Sequence, residues 1–252
     1  MLVLGHRGAP REAPENTLAS FQAALRAGAD GVELDVRLCA TGEVVCCHDP
    51  TLRRLAGEEV RVRTTAWDAL QRHDLGGGAR LCPLDAALDL WAPHGVVNVE
   101  LKHDDVDVPA LARAVVAAID RAPPCAVIAS SFDFAALAGL KGLRPRLARG
   151  LLVPPLRYPE SRSYLAEAAR PGAVHAVHPW HGDVTPERVA AWRARGLDVN
   201  VWTVDEPARA VALRDVGAAM VITNTPAAVI ASVRVEGDDP RRGQVWDRLL
   251  QR

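Results

Sequence analysis

The sequence predicts an α/β protein folded as a closed (β/α)8 TIM barrel, with a small hairpin and loop excursion after the second strand. Three observations carry that prediction. Short apolar runs alternate with segments of helical spacing, and strand–helix alternation implies a parallel sheet. About eight such units fit within 252 residues, which suits a closed barrel better than an open doubly wound sheet. Two of the strands alternate apolar with charged residues, as they can where one face meets helices and the other a lumen.

The run "MLVL" opens a strand at 2–5. Leu18, Phe21 and Leu25 recur at helical spacing, and Gly28 stands where a helix ends. The second strand is "GVELDVR", 31–37. Residues 44–48 follow after only "CATGE", so they predict a hairpin; 49–82 then form an excursion in which "HDLGGGAR" reads as loop. Pro83, Pro109, Pro186 and Pro207 are predicted in the first turns of helices, and Gly196 and Gly217 close the last two. The remaining strands are expected at 96–101, 125–129, 147–152, 174–177, 198–202 and 219–222. No repeat or low-complexity linker interrupts the pattern. One domain is expected over 1–232, with the excursion at about 44–82. A charged tail, with room for one short helix, is expected over 233–252.

A formal charge of −1 gives no reason to expect a nucleic-acid or membrane-surface partner. No apolar run approaches the roughly 20 residues of a membrane span, and "MLVL" is too short for a secretory signal. The five cysteines are odd in number and lack a CxxC, so buried thiols in a reducing, cytoplasmic setting are expected.

In "GVELDVR" the residues Val32, Leu34 and Val36 alternate with Glu33, Asp35 and Arg37. With the apolar set against the helices, Glu33 and Asp35 point inward, roughly 7 Å apart along the strand. The stretch "VVNVELK" repeats the pattern and turns Asn98, Glu100 and Lys102 the same way. Glu33, Asp35 and Glu100 would repel one another unless something positive sat among them. A hard divalent cation, Mg²⁺ or Ca²⁺, is the natural neutraliser for three carboxylates. Lys102 is one of two lysines in an arginine-rich chain, a compact charge suited to a phosphate oxygen or a carboxylate. His6 and His48 each end a strand, where barrel active sites lie, and could exchange protons near neutral pH. Arg7 offers a fork for phosphate oxygens, and Gly5 and Gly8 are expected to let the backbone approach a ligand. Asn16 or Thr17 could cap the next helix, and Glu15 could orient a base or ligand.

The stretches "HRGAPREAPENTLASFQAALRAGADGVELDVR", "VVCCHDPTLRR" and "NVELK" resemble the glycerophosphodiester phosphodiesterase family. "VNVWTVDE" and "GAAMVITNTP" are similar to its closing segments, so the resemblance spans roughly residues 2–230. It implies a TIM barrel that hydrolyses a small glycerophosphodiester to sn-glycerol 3-phosphate and an alcohol, by way of a cyclic phosphate. It also implies that Glu33, Asp35 and Glu100 bind Mg²⁺ or Ca²⁺ and that His6 and His48 are the acid/base pair. Arg7 and Lys102 would contact phosphate, and Trp202 would border the substrate. A lysophospholipase D or sphingomyelinase D-like activity on the same barrel is the alternative. Thr41 departs from the family's usual acidic residue in a turn remote from the chemistry. The short excursion implies an open mouth. His178 and His181 receive no assigned role, and the oligomeric state, cation and head group stay open.

Overall fold

The computed structural model describes residues 1–234 apart from 160, 169 and 171; the charged stretch from 235 onward lies outside the described residues. In chain order the elements are β1 (Leu2–His6), α1 (Leu18–Arg26), β2 (Gly31–Leu38), β3 (Val44–Cys46), α2 (Arg53–Ala56), α3 (Trp67–Leu70), β4 (Cys82–Pro83), α4 (Leu84–Trp91), β5 (Val96–Leu101) and α5 (Val108–Arg121). There follow β6 (Ala126–Ser131), α6 (Phe134–Leu143), β7 (Ala148–Val153), α7 (Ser161–Ala168), β8 (Ala176–Pro179), α8 (Pro186–Arg193), β9 (Asp198–Val201), α9 (Pro207–Asp215), β10 (Met220–Thr223) and α10 (Pro226–Val233).

Strand β1 pairs in parallel with both β2 and β10, which closes an eight-stranded ring β1-β2-β5-β6-β7-β8-β9-β10. The fold is therefore the expected (β/α)8 barrel. Strand β3 turns back antiparallel on β2, with Val36 opposite Cys46, as the hairpin reading required. Four details differ from expectation. The hairpin strand stops at Cys46 rather than 48, although the Cys47 N–H still reaches Asp35 O at 2.9 Å. Residues 82–83 form a short strand against β3, so Pro83 caps α4 in an extended conformation instead of entering its first turn. Its fixed φ suits either place, and the pairing with Val45 decides. Strand β8 runs two residues later than expected, because register sets Ala176 opposite both Gly150 and Asp198. The excursion also carries helices α2 and α3, with Leu52, Val62, Leu70, Leu75 and Leu81 buried in a small core of their own.

Alternation along the strands divides the barrel into two faces. Val3, Val32, Leu34, Val36, Val97, Val99 and Leu101 face the helices in the main core. The inward set changes character along the barrel axis. Leu2, Leu4, Val96, Ala126, Ile128, Ala148 and Met220 fill the N-terminal part with aliphatic side chains. Two to four residues beyond Leu4, Val96 and Ile128, and beyond Gly31 at the same level of β2, come His6, Glu33, Asp35, Asn98, Glu100 and Ser130. The apolar floor supports a polar mouth, so the charged layer is held rigidly without becoming the packing core.

Candidate active site

The mouth opens on a cavity of about 230 Å³ lined by His6, Arg7, Glu33, His48, Asn98, Glu100, Lys102, Phe132, Trp202 and Thr203, among others. Glu33, Asp35 and Glu100 are buried, and one oxygen of each lies within 4.8 Å of the others. Register explains the convergence: Glu33 pairs with His6 on one side, and Asp35 with Glu100 on the other. Among the described residues this is the one group of three such side chains placed to share an ion.

The three carboxylates are not equivalent. For Asp35, burial is outweighed by Arg7 and Lys102, which hold it well below the usual carboxylate range. Asn16 adds a hydrogen bond from Nδ2 to Asp35 Oδ2 at 2.9 Å and accepts from the Asp35 N–H at 3.2 Å. Glu33 lies far above that range, through burial first and then repulsion from Asp35 and Glu100. Glu100 is raised too, by burial first and then by Asp35, although Lys102 Nζ donates to it at 2.8 Å. The Lys102 ammonium also lies 3.4 Å from Asp35, and these carboxylates raise its pKa against the cost of burial.

Arg7 sits beyond β1 with φ of 54°, a strained conformation for a non-glycine residue. Its surroundings over-determine it. Its N–H donates to Glu33 Oε2 at 3.1 Å, and its carbonyl accepts from the Asn16 N–H and the Ser20 hydroxyl. Arg7 Nη1 donates to Glu15 at 2.9 Å, while Nε lies 3.1 Å from Asp35 as an ion pair without hydrogen-bond alignment. Gly5 and Gly8 serve this turn rather than a ligand. A Cβ on Gly5 would meet Gly8 O at 2.2 Å, and one on Gly8, where φ is 96°, would meet the Ser20 backbone at 2.6 Å. Thr17, not Asn16, caps α1 by accepting from the Ser20 N–H. Glu15 stays outside the carboxylate group and joins Arg7 to Arg54 of α2.

Both expected imidazoles reach the cavity. His6 Nδ1 lies 2.8 Å from Asn224 Oδ1, and its Nε2 is 3.9 Å from Glu33. Burial, then Arg7, lowers its pKa to about 4. His48 Nδ1 lies 2.7 Å from Asp49, and burial lowers its pKa too. Arg54 holds Asp49 at 2.7 Å, so one chain of contacts runs from Arg7 through Glu15, Arg54 and Asp49 to His48. Arg37 grips the His48 carbonyl from the other side through Nε and Nη2. Trp202 meets Phe132 edge-on at 5.7 Å, which gives the cavity an aromatic wall. His178 does not line it. It is buried beneath, paired with Asn200 at 2.9 Å, and its carbonyl accepts the Trp202 indole N–H. His181 packs on Trp180 outside the cavity.

Asn224, Asp205, Asp49, Arg54, Arg37 and Phe132 join the site without being expected from the sequence. Asp49 had a signal in its place next to His48, whereas Arg54 reaches the mouth only because the excursion folds back over it.

Buried carboxyl groups facing two imidazoles across a small cavity at the C-terminal end of a barrel define the class, a (β/α)8 barrel with its site where enzymes of this fold carry theirs. The chain belongs to the glycerophosphoryl diester phosphodiesterase family, whose model matches residues 6–228. It is 31% identical over 246 residues to a glycerophosphodiester phosphodiesterase of Caldanaerobacter subterraneus, covering 94% of this chain and 99% of that protein. An Oleispira antarctica phosphodiesterase, solved in complex with the product sn-glycerol-3-phosphate, superposes with a TM-score of 0.82 at 26% identity, covering 92% and 96% of the two chains. A Thermotoga maritima glycerophosphodiester phosphodiesterase gives a TM-score of 0.78 at 29% identity, covering 93% and 98%.

Proposed function

We propose that this chain hydrolyses glycerophosphodiesters to sn-glycerol 3-phosphate and an alcohol. His6 and His48 move the protons, and Mg²⁺ or Ca²⁺ is held by Glu33, Asp35 and Glu100. The observation that carries the reading is the carboxylate group within 4.8 Å on the cavity that both imidazoles line. The residues fit a hard cation: all three donors are carboxylate oxygens, and Glu33 and Glu100 lie above the usual range, as anions short of counter-charge do. When bound, such a cation polarises a phosphoryl oxygen and acidifies a neighbouring hydroxyl.

The protein's own groups supply the rest. One imidazole takes the proton of the substrate 2-hydroxyl as that oxygen attacks phosphorus. The bond from phosphorus to the leaving alcohol breaks, and the other imidazole protonates that oxygen. Water then opens the cyclic phosphate with the two roles exchanged. The negative phosphate raises the donating ring's hold on its proton. Arg7 and Lys102 contact the phosphate, while Trp202 and Phe132 wall the carbon skeleton. No helix among the described residues is long and apolar enough to cross a membrane. A reducing, cytoplasmic setting belongs to the same reading. It is supported by five free thiols, Cys46 and Cys82 among them although they face each other across β3 and β4.

A lysophospholipase D or sphingomyelinase D-like activity would need an apolar ramp. The excursion instead turns its leucines into its own core. The test is a panel of glycerophosphodiesters assayed with Mg²⁺, Ca²⁺ or chelator and followed by phosphorus NMR. His6→Ala and His48→Ala are expected to lose about 10²–10⁴-fold in kcat with an unchanged melting temperature. Near-normal turnover in both variants would overturn the reading, and a cyclic phosphate persisting as product would favour the lysolipid alternative.

A further inference from the structure

We propose that Asp205 is a positioning residue: acting through Asn224, it fixes the tautomer of His6 and leaves the Nε2 lone pair facing the cavity. The inference rests on the proposed role of His6. A neutral imidazole carries its proton on one nitrogen, and the hydrogen bond made by the other ring atom selects which. The partner of His6 is a carboxamide, which can present either its oxygen or its NH₂ group. Asp205 removes that choice. A carboxylate only accepts, and Asp205 Oδ2 lies 2.8 Å from Asn224 Nδ2. The NH₂ edge must therefore face Asp205, which turns Oδ1 toward His6 Nδ1, 2.8 Å away. That carbonyl oxygen only accepts, so Nδ1 carries the hydrogen and Nε2 is bare.

The loops around the pair leave little freedom for another arrangement. Asp205 Oδ1 also accepts from the Asn224 N–H at 2.8 Å and from the Thr223 hydroxyl at 3.2 Å. The Val204 N–H donates to Ile222 O at 2.9 Å, and the Thr225 hydroxyl donates to Asp205 O at 3.2 Å. The three residues lie just past β9, just past β10 and at the end of β1, three successive positions around the mouth. His48 reaches the same state directly, since its Nδ1 lies against the Asp49 carboxylate. Both rings thus present Nε2 inward. They differ in that His48 is backed by a charge and His6 by a neutral amide which a charge holds in place.

The test reads the tautomer itself. Long-range proton–nitrogen correlation spectra of ¹⁵N-labelled protein are recorded at pH 8, with the His6 signals assigned by their loss in His6→Ala. Wild type is expected to show His6 protonated on Nδ1. In Asp205→Asn the Asn224 amide is free to turn, so the tautomer becomes mixed. There kcat is expected to fall at least about 10-fold, with KM within about 3-fold. The exchanged pair Asp205→Asn with Asn224→Asp restores an acceptor opposite Nδ1. It is expected to recover both the Nδ1-protonated ring and kcat to within about 3-fold. A wild-type ring protonated on Nε2 overturns the proposal, as does an Asp205→Asn enzyme with an unmoved tautomer and an unmoved kcat. If Asp205→Asn does not fold, the wild-type spectrum and the exchanged pair decide. Activity surviving in His6→Ala would instead sink the catalytic reading while leaving the tautomer result intact.

Discussion

Glu33→Gln gives the most direct test of the carboxylate group, because the reading requires its effect to reverse with the cation. Glu33 faces Asp35 and Glu100 with oxygens within 4.8 Å, and its closest donor is the Arg7 N–H. Two charges at that distance repel by about 3 kcal/mol at an effective dielectric constant of about 20. The cost is limited because the carboxyl can take up a proton, which is why its pKa rises. The sign follows. Above the unfolded value the folded state binds the extra proton, so stability falls as pH rises toward the folded pKa. Replacing the acid with an isosteric amide removes that loss, keeps an acceptor for Arg7, and is expected to add about 1–2 kcal/mol to the metal-free protein. For a chain of this size that is roughly 2–8 °C in Tm.

In wild type, a cation at about 100 times its Kd adds about 2.7 kcal/mol, or roughly 5–10 °C, and the variant forfeits it. The assay is thermal unfolding at pH 8 in chelator and in millimolar Mg²⁺ or Ca²⁺. The variant should melt above wild type in chelator and below it with the cation, and its advantage in chelator should shrink at pH 6. A variant that melts below wild type in chelator, or a wild type indifferent to both cations, refutes the reasoning.

His178 is buried as a neutral ring with its pKa lowered to about 3 by desolvation. The unfolded chain therefore binds the extra proton, and stability is lost as pH falls below about 6.5. Between pH 7 and pH 5, urea unfolding should cost wild type about 2 kcal/mol more than His178→Asn, and equal losses would contradict this. Gly8→Ala places a Cβ against the Ser20 backbone at positive φ and should cost more than about 2 kcal/mol in the same measurement; a neutral effect would mean that the turn is not constrained. Arg54→Ala removes an exposed partner of Glu15 and Asp49, so stability should change by less than about 1 kcal/mol. Its kcat/KM should fall several-fold as His48 loses its bracing, and an unchanged kcat/KM would remove Arg54 from the site.

The barrel was legible because period-two alternation reads burial directly. In 31–37 and 96–102 the apolar set meets the helices and the charged set meets the lumen, so the pattern alone places Glu33, Asp35, Glu100 and Lys102. His6 and His48 followed from position at strand ends. Contacts joined by tertiary structure alone were not legible. Nothing local to Asn224 or Asp205 says that β1, β9 and β10 are neighbours around the ring, and Arg54 meets Glu15 across 39 residues. At Gly5 and Gly8 a sequence does not distinguish room for a ligand from room for the turn's own backbone and Ser20. At Pro83 and the start of β8 local propensity allows either assignment, and strand pairing makes the choice.

The charges around the cavity show why two cations stand among three carboxylates. Glu33, Asp35 and Glu100 contribute −3, and the two cations in contact with Asp35 and Glu100, Arg7 and Lys102, contribute +2, so this inner layer, fully ionised, carries −1; Glu15, Arg54 and Asp49 stand outside it. In the proposed reading a divalent cation brings it to +1, and a phosphodiester monoanion then brings it to zero. The product, a phosphate monoester carrying close to two negative charges near neutral pH, returns the layer toward −1. A layer with one more fixed cation would hold that product more tightly than the substrate, and one with a cation fewer would leave the substrate complex negative. Lys102 can serve both occupied and empty states, since its ammonium already bridges Glu100 and Asp35 and its flexible stem can swing toward an arriving phosphate. A guanidinium at that place would be drawn into a bidentate carboxylate pair, which gives a physical reason for a lysine there in a chain that uses arginine almost everywhere else.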